Sequence, residues 1–141
     1  MCDSKEMTIL VAEDDPGHAE LIVDELKESG IHNSIRRFCN GQEVWEFLIE
    51  KASDEATVLN YLLLLDIKMP KMDGIEVLKR IKSHDILKKV PVIMVSTTDD
   101  QPEIAKCYEL GCNMYITKPV DCKVFAETLQ RLGLFIQIVR I

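Results

Sequence analysis

Short, wholly apolar runs alternate along the chain with stretches in which apolar residues return every three or four positions. The first pattern marks a strand buried on both faces of a sheet, and the second a helix with one buried face. Thr8-Ile9-Leu10-Val11-Ala12 is the first run and stops at Glu13-Asp14-Asp15. Ala19, Ile22, Val23 and Leu26 then keep a helical spacing, with Pro16 in the first turn and Gly30 just past the end. A second strand is expected over Ile35 to Cys39, and Asn40-Gly41 opens a helix with Val44, Phe47 and Leu48 on one face. Lys51 to Asn60 is polar and acidic without a clear period, and reads as a loop with room for one extra helical turn.

Tyr61-Leu62-Leu63-Leu64-Leu65 is the strongest strand and ends at Asp66. A loop follows, Met69-Pro70-Lys71-Met72-Asp73-Gly74, and then a helix whose inner face is marked by Gly74, Val77, Leu78 and Ile81. Pro91 to Ser96 is a fourth strand. Ile104, Cys107 and Tyr108 mark a helix closed near Gly111. Met114 to Lys118 is a fifth strand, stopped by Pro119. Phe125, Leu129 and Leu132 mark a last helix, with Gly133 as its C-terminal cap. Strand and helix thus alternate about five times, which predicts an α/β fold: a doubly wound parallel sheet with helices on both faces. In such folds ligands sit beyond the carboxyl ends of the strands.

The length of 141 residues fits one domain. With 47% hydrophobic and 29% charged residues the chain is an ordinary globular one, which excludes disordered and fibrous classes. A net charge of −7 leaves no basic footprint for a nucleic-acid backbone. No apolar run approaches the roughly 20 residues that span a bilayer, and Met1 to Glu6 lacks the apolar core of a signal peptide. No nucleic-acid or membrane partner and a cytoplasmic location are therefore expected. The five cysteines include no Cys-x-x-Cys, so reduced thiols are expected, several of them filling the core. Trp45 and the apolar stripes are assigned to the core.

The polar residues after the strands should converge on one sheet edge. They are Glu13-Asp14-Asp15, Asp66, Ser96-Thr97-Thr98 and Lys118. Clustered carboxylates repel unless a positive partner joins them. A hard divalent cation such as Mg²⁺ suits oxygen ligands, and Lys118 adds a second positive charge. A carboxylate in that company can attack phosphorus. Asp66 is the best-placed nucleophile because it ends the central strand, with Ser96 and Lys118 near the phosphoryl oxygens. Other roles remain open for single residues. Asp14 or Asp15 could cap the first helix, Lys118 could be a solvated turn residue, and Ser96-Thr97-Thr98 could be a cap, with Asp99 and Asp100 favouring the N-terminus of the next helix.

Glu13-Asp14, Asp66 followed by Met69-Pro70 and Asp73-Gly74, Ser96, and Lys118-Pro119 together resemble the receiver domain of two-component response regulators, from about Thr8 to Leu132. The resemblance implies a five-stranded sheet in the order 2-1-3-4-5, the flavodoxin-like arrangement. It implies a receiver domain over residues 1–133 and an apolar tail over 134–141. Asp66 would accept a phosphoryl group from a histidine kinase or phosphotransfer protein. Asp14 and Asp66 would bind Mg²⁺ directly with the Lys68 main-chain carbonyl, and Glu13 would hold a metal-bound water. Ser96 and Lys118 would grip the phosphoryl oxygens, and Tyr115 would be an aromatic switch that follows Ser96. Thr97 would narrow access to Asp66, while Lys68 and Thr98 would tune the lifetime of the phosphorylated state. The Lys118-Pro119 bond is expected to be cis.

Within the family the chain resembles the single-domain regulators paired with bacterial phytochrome-type kinases, through residues 51–60, the Thr117-Lys118-Pro119-Val120-Asp121 stretch and the tail with Phe135. The leading expectation is a phosphoacceptor switch without an output domain, not an enzyme in the usual sense. A phosphorylation-independent adaptor and a small aspartyl-phosphate phosphatase are the alternatives. The phosphatase pattern carries a second Asp two residues after the first, where this chain has Lys68. Six of the eight tail residues are apolar, so the tail is expected either to fold back or to support a homodimer through the face of the fourth helix, fifth strand and fifth helix.

Overall fold

A computed structural model describes residues 7–119 and 121–131, apart from the side chains of residues 122, 129 and 130. Leu132, Gly133, Phe135 and the rest of the tail lie outside the described residues, as does the side chain of Leu129. The strands are β1 (Thr8–Ala12), β2 (Ile35–Phe38), β3 (Tyr61–Leu65), β4 (Val92–Ser96) and β5 (Met114–Thr117). The helices are α1 (Pro16–Glu28), α2 (Gly41–Lys51), α3 (Glu55–Val58), α4 (Gly74–Lys82), α5 (Gln101–Glu109) and α6 (Cys122–Arg131). α3 is the extra turn for which residues 51–60 had room. Asp54 starts it, accepting from the Thr57 main-chain N–H and hydroxyl.

All strand pairings are parallel, and the sheet order is β2-β1-β3-β4-β5. Every position of β3 and β4 is buried. Alternate residues serve opposite faces, because successive side chains point to opposite sides of a strand. Leu10, Leu63, Leu65, Val92 and Met94 pack with Val44, Leu48, Val77, Leu78 and Ile81 from α2 and α4. Ile9, Val11, Leu62, Leu64, Ile93 and Val95 pack with Ile22 and Leu26 of α1 and Phe125 of α6. The edge strands β2 and β5 keep exposed positions, and each is one residue shorter than the sequence pattern indicates.

Helix ends follow local chemistry. Past α1, Gly30 takes a positive φ of 86°, and Ile31 N–H reaches back to the Leu26 carbonyl. This is a glycine stop that few other residues could adopt. Two assignments need correction. Tyr108 does not face the core: it is exposed on α5, where Cys107 is the buried residue, and its hydroxyl accepts from the Tyr115 main-chain N–H of the edge strand. Trp45 is only half-buried and carries the Arg80 guanidinium over its ring at 5.7 Å. Cys107 and Cys112 are buried free thiols, and burial pushes Cys112 up to about 12. Cys39 is exposed.

Candidate functional site

The sheet order puts β1 beside both β2 and β3. From β1 the chain crosses to β2 on one side, and later to β3 on the other. The carboxyl ends of β1 and β3 therefore frame a switch point, where such folds bind ligands. The register pairs Ala12 with Leu65, so the residues that follow, Glu13-Asp14 and Asp66, emerge side by side. The Asp66 N–H donates to the Ala12 carbonyl at 3.0 Å. Gly74 lets α4 begin directly against this strand end. Its N–H donates to the Ile67 carbonyl at 2.7 Å, and a Cβ there would lie 2.0 Å from the Asp66 carbonyl oxygen.

Asp66 is 8% exposed and Glu13 1%. Asp66 Oδ1 accepts from the Ile67 N–H at 2.8 Å, and Oδ2 lies 3.4 Å from Lys118 Nζ. Lys118 Nζ also donates to Glu13 Oε1. Glu13, Asp14 and Asp66 each offer a carboxylate oxygen, and these atoms all lie within 4.8 Å of one another. Burial, and next the charge of Glu13, push the Asp66 carboxyl up from 3.8 to about 6, with Lys118 pulling the other way. This is a cluster of negative charge only partly answered by one ammonium. Its all-oxygen donor set and one exposed member, Asp14, suit a hard divalent cation that keeps some of its waters.

The capping alternatives separate cleanly. Asp15, not Asp14, starts α1: its Oδ1 accepts from Gly17 N–H at 2.8 Å and His18 N–H at 3.1 Å, which holds its carboxyl below the usual range. Asp100 starts α5 by accepting from the Glu103 N–H at 3.2 Å. Ser96 is left at the end of β4, 2% exposed, with its Oγ accepting from the Thr98 N–H at 3.4 Å. The Tyr115 hydroxyl donates to the Thr98 carbonyl at 3.0 Å, and burial pushes that hydroxyl up to about 12. Lys118 sits one residue past β5, tied back by its N–H to the Ser96 carbonyl at 2.7 Å. The bond that follows, Lys118-Pro119, is cis, as the sequence resemblance implies.

These groups line a pocket of about 190 Å³, with exposed Lys68 and Thr97 on its wall. The structure thus brings together Glu13, Asp14, Asp66, Ser96 and Lys118, while Tyr115 reaches the neighbouring Thr98 carbonyl rather than the pocket. Sequence reasoning missed His18 and Arg37. His18 Nδ1 lies 3.1 Å from Lys118 Nζ, where only the unprotonated nitrogen can accept. Its place one turn into the helix after the acidic run was the available signal. Arg37 donates to the main-chain carbonyls of Glu13 and Asp14. Nothing in the Arg36-Arg37 pair announces that.

Residues 9–130 match the family model described as the response regulator receiver domain. Response regulator Rcp1 of Synechocystis sp. is 32% identical over 127 residues, which is 90% of this chain and 86% of that protein. A crystal structure of Rcp1 in its Mn²⁺-bound form has a TM-score of 0.70 at 31% identity, covering 92% of this chain and 93% of that one. A receiver domain from Rhodospirillum rubrum has a TM-score of 0.74 at 41% identity, covering 92% of each chain. The bacteriophytochrome response regulator AtBRR has a TM-score of 0.78 at 32% identity, covering 92% of this chain and 94% of that one.

Proposed function

The chain belongs to the response regulator receiver domain family, and from that premise we propose that Asp66 accepts a phosphoryl group from a histidine kinase or phosphotransfer protein. The observation that carries the proposal is Asp66 itself. It is a buried carboxylate at the end of the central strand, within ligand distance of Glu13 and Asp14 and 3.4 Å from Lys118. In the transfer, an Asp66 carboxylate oxygen bonds to phosphorus as the bond from phosphorus to the donor's imidazole nitrogen breaks. The imidazole leaves with that electron pair. Asp14 and Asp66, with the Lys68 carbonyl, would hold Mg²⁺, with Glu13 behind a bound water. The cation supplies charge neutralisation for the phosphoryl oxygens.

The chain's own groups do the rest. Partial burial strips Asp66 of water and leaves its carboxylate a competent nucleophile at neutral pH. The Lys118 ammonium, shared among Glu13, Asp66 and His18, is free to follow the incoming negative charge. The Ser96 hydroxyl turns its proton toward a phosphoryl oxygen, and its movement is passed to Tyr115 through the Thr98 segment. Thr97 and Lys68 on the pocket wall set access and lifetime.

The partner we propose is a phytochrome-type histidine kinase. The bacteriophytochrome regulator among the similar structures supports it. A neighbouring groove of about 260 Å³ offers the donor protein a docking surface beside the phosphoacceptor, lined by exposed Leu21, Thr97 and Pro119 over buried Ile22. Metal dependence tests the reading. Labelling by acetyl phosphate should require Mg²⁺, and Asp14→Ala should raise the Mg²⁺ needed by at least about tenfold, as expected when one of few protein ligands is removed. An unchanged Mg²⁺ requirement in Asp14→Ala contradicts the ligand assignment.

A further inference from the structure

Two consecutive arginines on the edge strand β2 have separate tasks. Arg36 lies over the Phe47 ring at 4.7 Å and the Phe38 ring at 5.7 Å. Arg37 pairs in register with Val11, and its side chain runs forward past Ala12 to the turn that leaves β1. There Nε and Nη2 donate to the Glu13 carbonyl at 3.1 and 2.8 Å, and Nη2 donates to the Asp14 carbonyl at 3.2 Å. The last ladder bond on this side of β1 is Glu13 N–H to the Phe38 carbonyl, so the main chain leaves the sheet at this point. We propose that Arg37 is a positioning residue for the acidic pair. Its planar fork fixes two successive carbonyls, and so fixes the directions in which the Glu13 and Asp14 side chains enter the pocket. The inference rests on the reading of these carboxylates as a divalent-cation site.

The geometry gives this role a distinctive sign. A guanidinium close to an acidic cluster opposes a bound cation by simple Coulomb repulsion. If Arg37 acted only as a charge, its removal would tighten cation binding. If it holds the loop, its removal weakens binding, because partners behind metal ligands typically control affinity by ten- to a hundredfold. A lysine keeps the charge but is a point donor that cannot span both carbonyls in one plane. Lysine should therefore restore only part of the effect.

The test is calorimetric titration of the full chain with Mn²⁺, for the wild type, Arg37→Met, Arg37→Lys and Asp14→Ala. Amide hydrogen exchange at residues 13–15 is followed in parallel on the metal-free proteins. We expect Arg37→Met to bind Mn²⁺ about tenfold more weakly, with faster exchange at Asp14 and Asp15, and Arg37→Lys to fall between it and the wild type. Arg37→Met binding as tightly as the wild type or more tightly overturns the proposal. Should Arg37→Met fail to fold, Arg37→Lys decides alone: wild-type affinity with wild-type exchange overturns it. Wild-type binding that is absent, or indifferent to Asp14→Ala, instead overturns the cation-site reading. The exchange measurement then still judges whether Arg37 grips the loop, and unchanged exchange rejects that as well.

Discussion

Burying a carboxylate beside a second one disfavours its ionised form, and Asp66 shows the result: its carboxyl is pushed up to about 6, first by burial and then by Glu13. The folded state therefore holds this proton more tightly than the unfolded chain, whose carboxyl keeps the ordinary 3.8. The stability this gives is complete below about pH 4 and is lost as pH rises through about 6. Asn at this position mimics the neutral form at every pH. In protein freed of divalent cations, Asp66→Asn should be more stable than the wild type at pH 7.5, by on the order of 2 kcal/mol. The gap should close as pH falls toward 4. Urea unfolding across this range checks it, and parallel pH profiles would contradict the origin given for the shift. At this scale the sequence exposed the groups that end strands: Asp14, Asp66, Ser96 and Lys118. It hid His18 and Arg37, whose contacts with Lys118 and the acidic loop depend on where side chains from distant segments point.

Elements at the centre of the sheet were the most legible because burial on both faces leaves no room for polar residues. β3 and β4 are apolar nearly throughout; β3 matches the sequence pattern at both ends, and β4 departs from it only at Pro91, which precedes the strand. The edges carry a mixed pattern, Ile-Arg-Arg-Phe in β2 and Met-Tyr-Ile-Thr in β5, so their ends blur. α3 has a single turn, too short for a period to show, and only its Asp54 cap hints at it. Tyr108 was misread because an aromatic at helical spacing usually faces the core, whereas here it covers the exposed edge of β5. The junction of β3 and α4 is where element geometry and site meet. A methyl group on Gly74 would collide with the Asp66 carbonyl and with Ile67 Cα, which are backbone atoms that cannot step aside. Gly74→Ala should lose about 3 kcal/mol or more of stability by denaturant unfolding, at the upper end of ordinary overpacking. A loss below the usual scatter of surface substitutions would mean that the approach of α4 is looser than described.

For the whole molecule, the parallel sheet in the order β2-β1-β3-β4-β5 creates one switch point, and the site lies on it. Alternating runs alone predicted a doubly wound sheet, but the strand order was legible only through the resemblance carried by the motif residues. Assembly is a further property at this scale. Tyr108 and Val124 are exposed on α5 and α6, and we propose that the chain pairs with a second copy through this face, aided by the tail 134–141, six of whose eight residues are apolar. Each large apolar side chain buried there contributes about 1.5–3 kcal/mol, so deleting 134–141 should shift a dimer toward monomer in light scattering. A full-length chain that stays monomeric at high concentration contradicts the pairing. The central claim, that this fold exists to carry a phosphoryl group on Asp66, is tested most directly by mass spectrometry of the intact chain. The wild type and Asp66→Asn would each be incubated with acetyl phosphate and Mg²⁺, followed by peptide mapping. The account predicts one added phosphoryl group on the wild type, mapped to Asp66, and none on the variant. Equal labelling of the two proteins, or a phosphoryl group mapped to another residue, would contradict it.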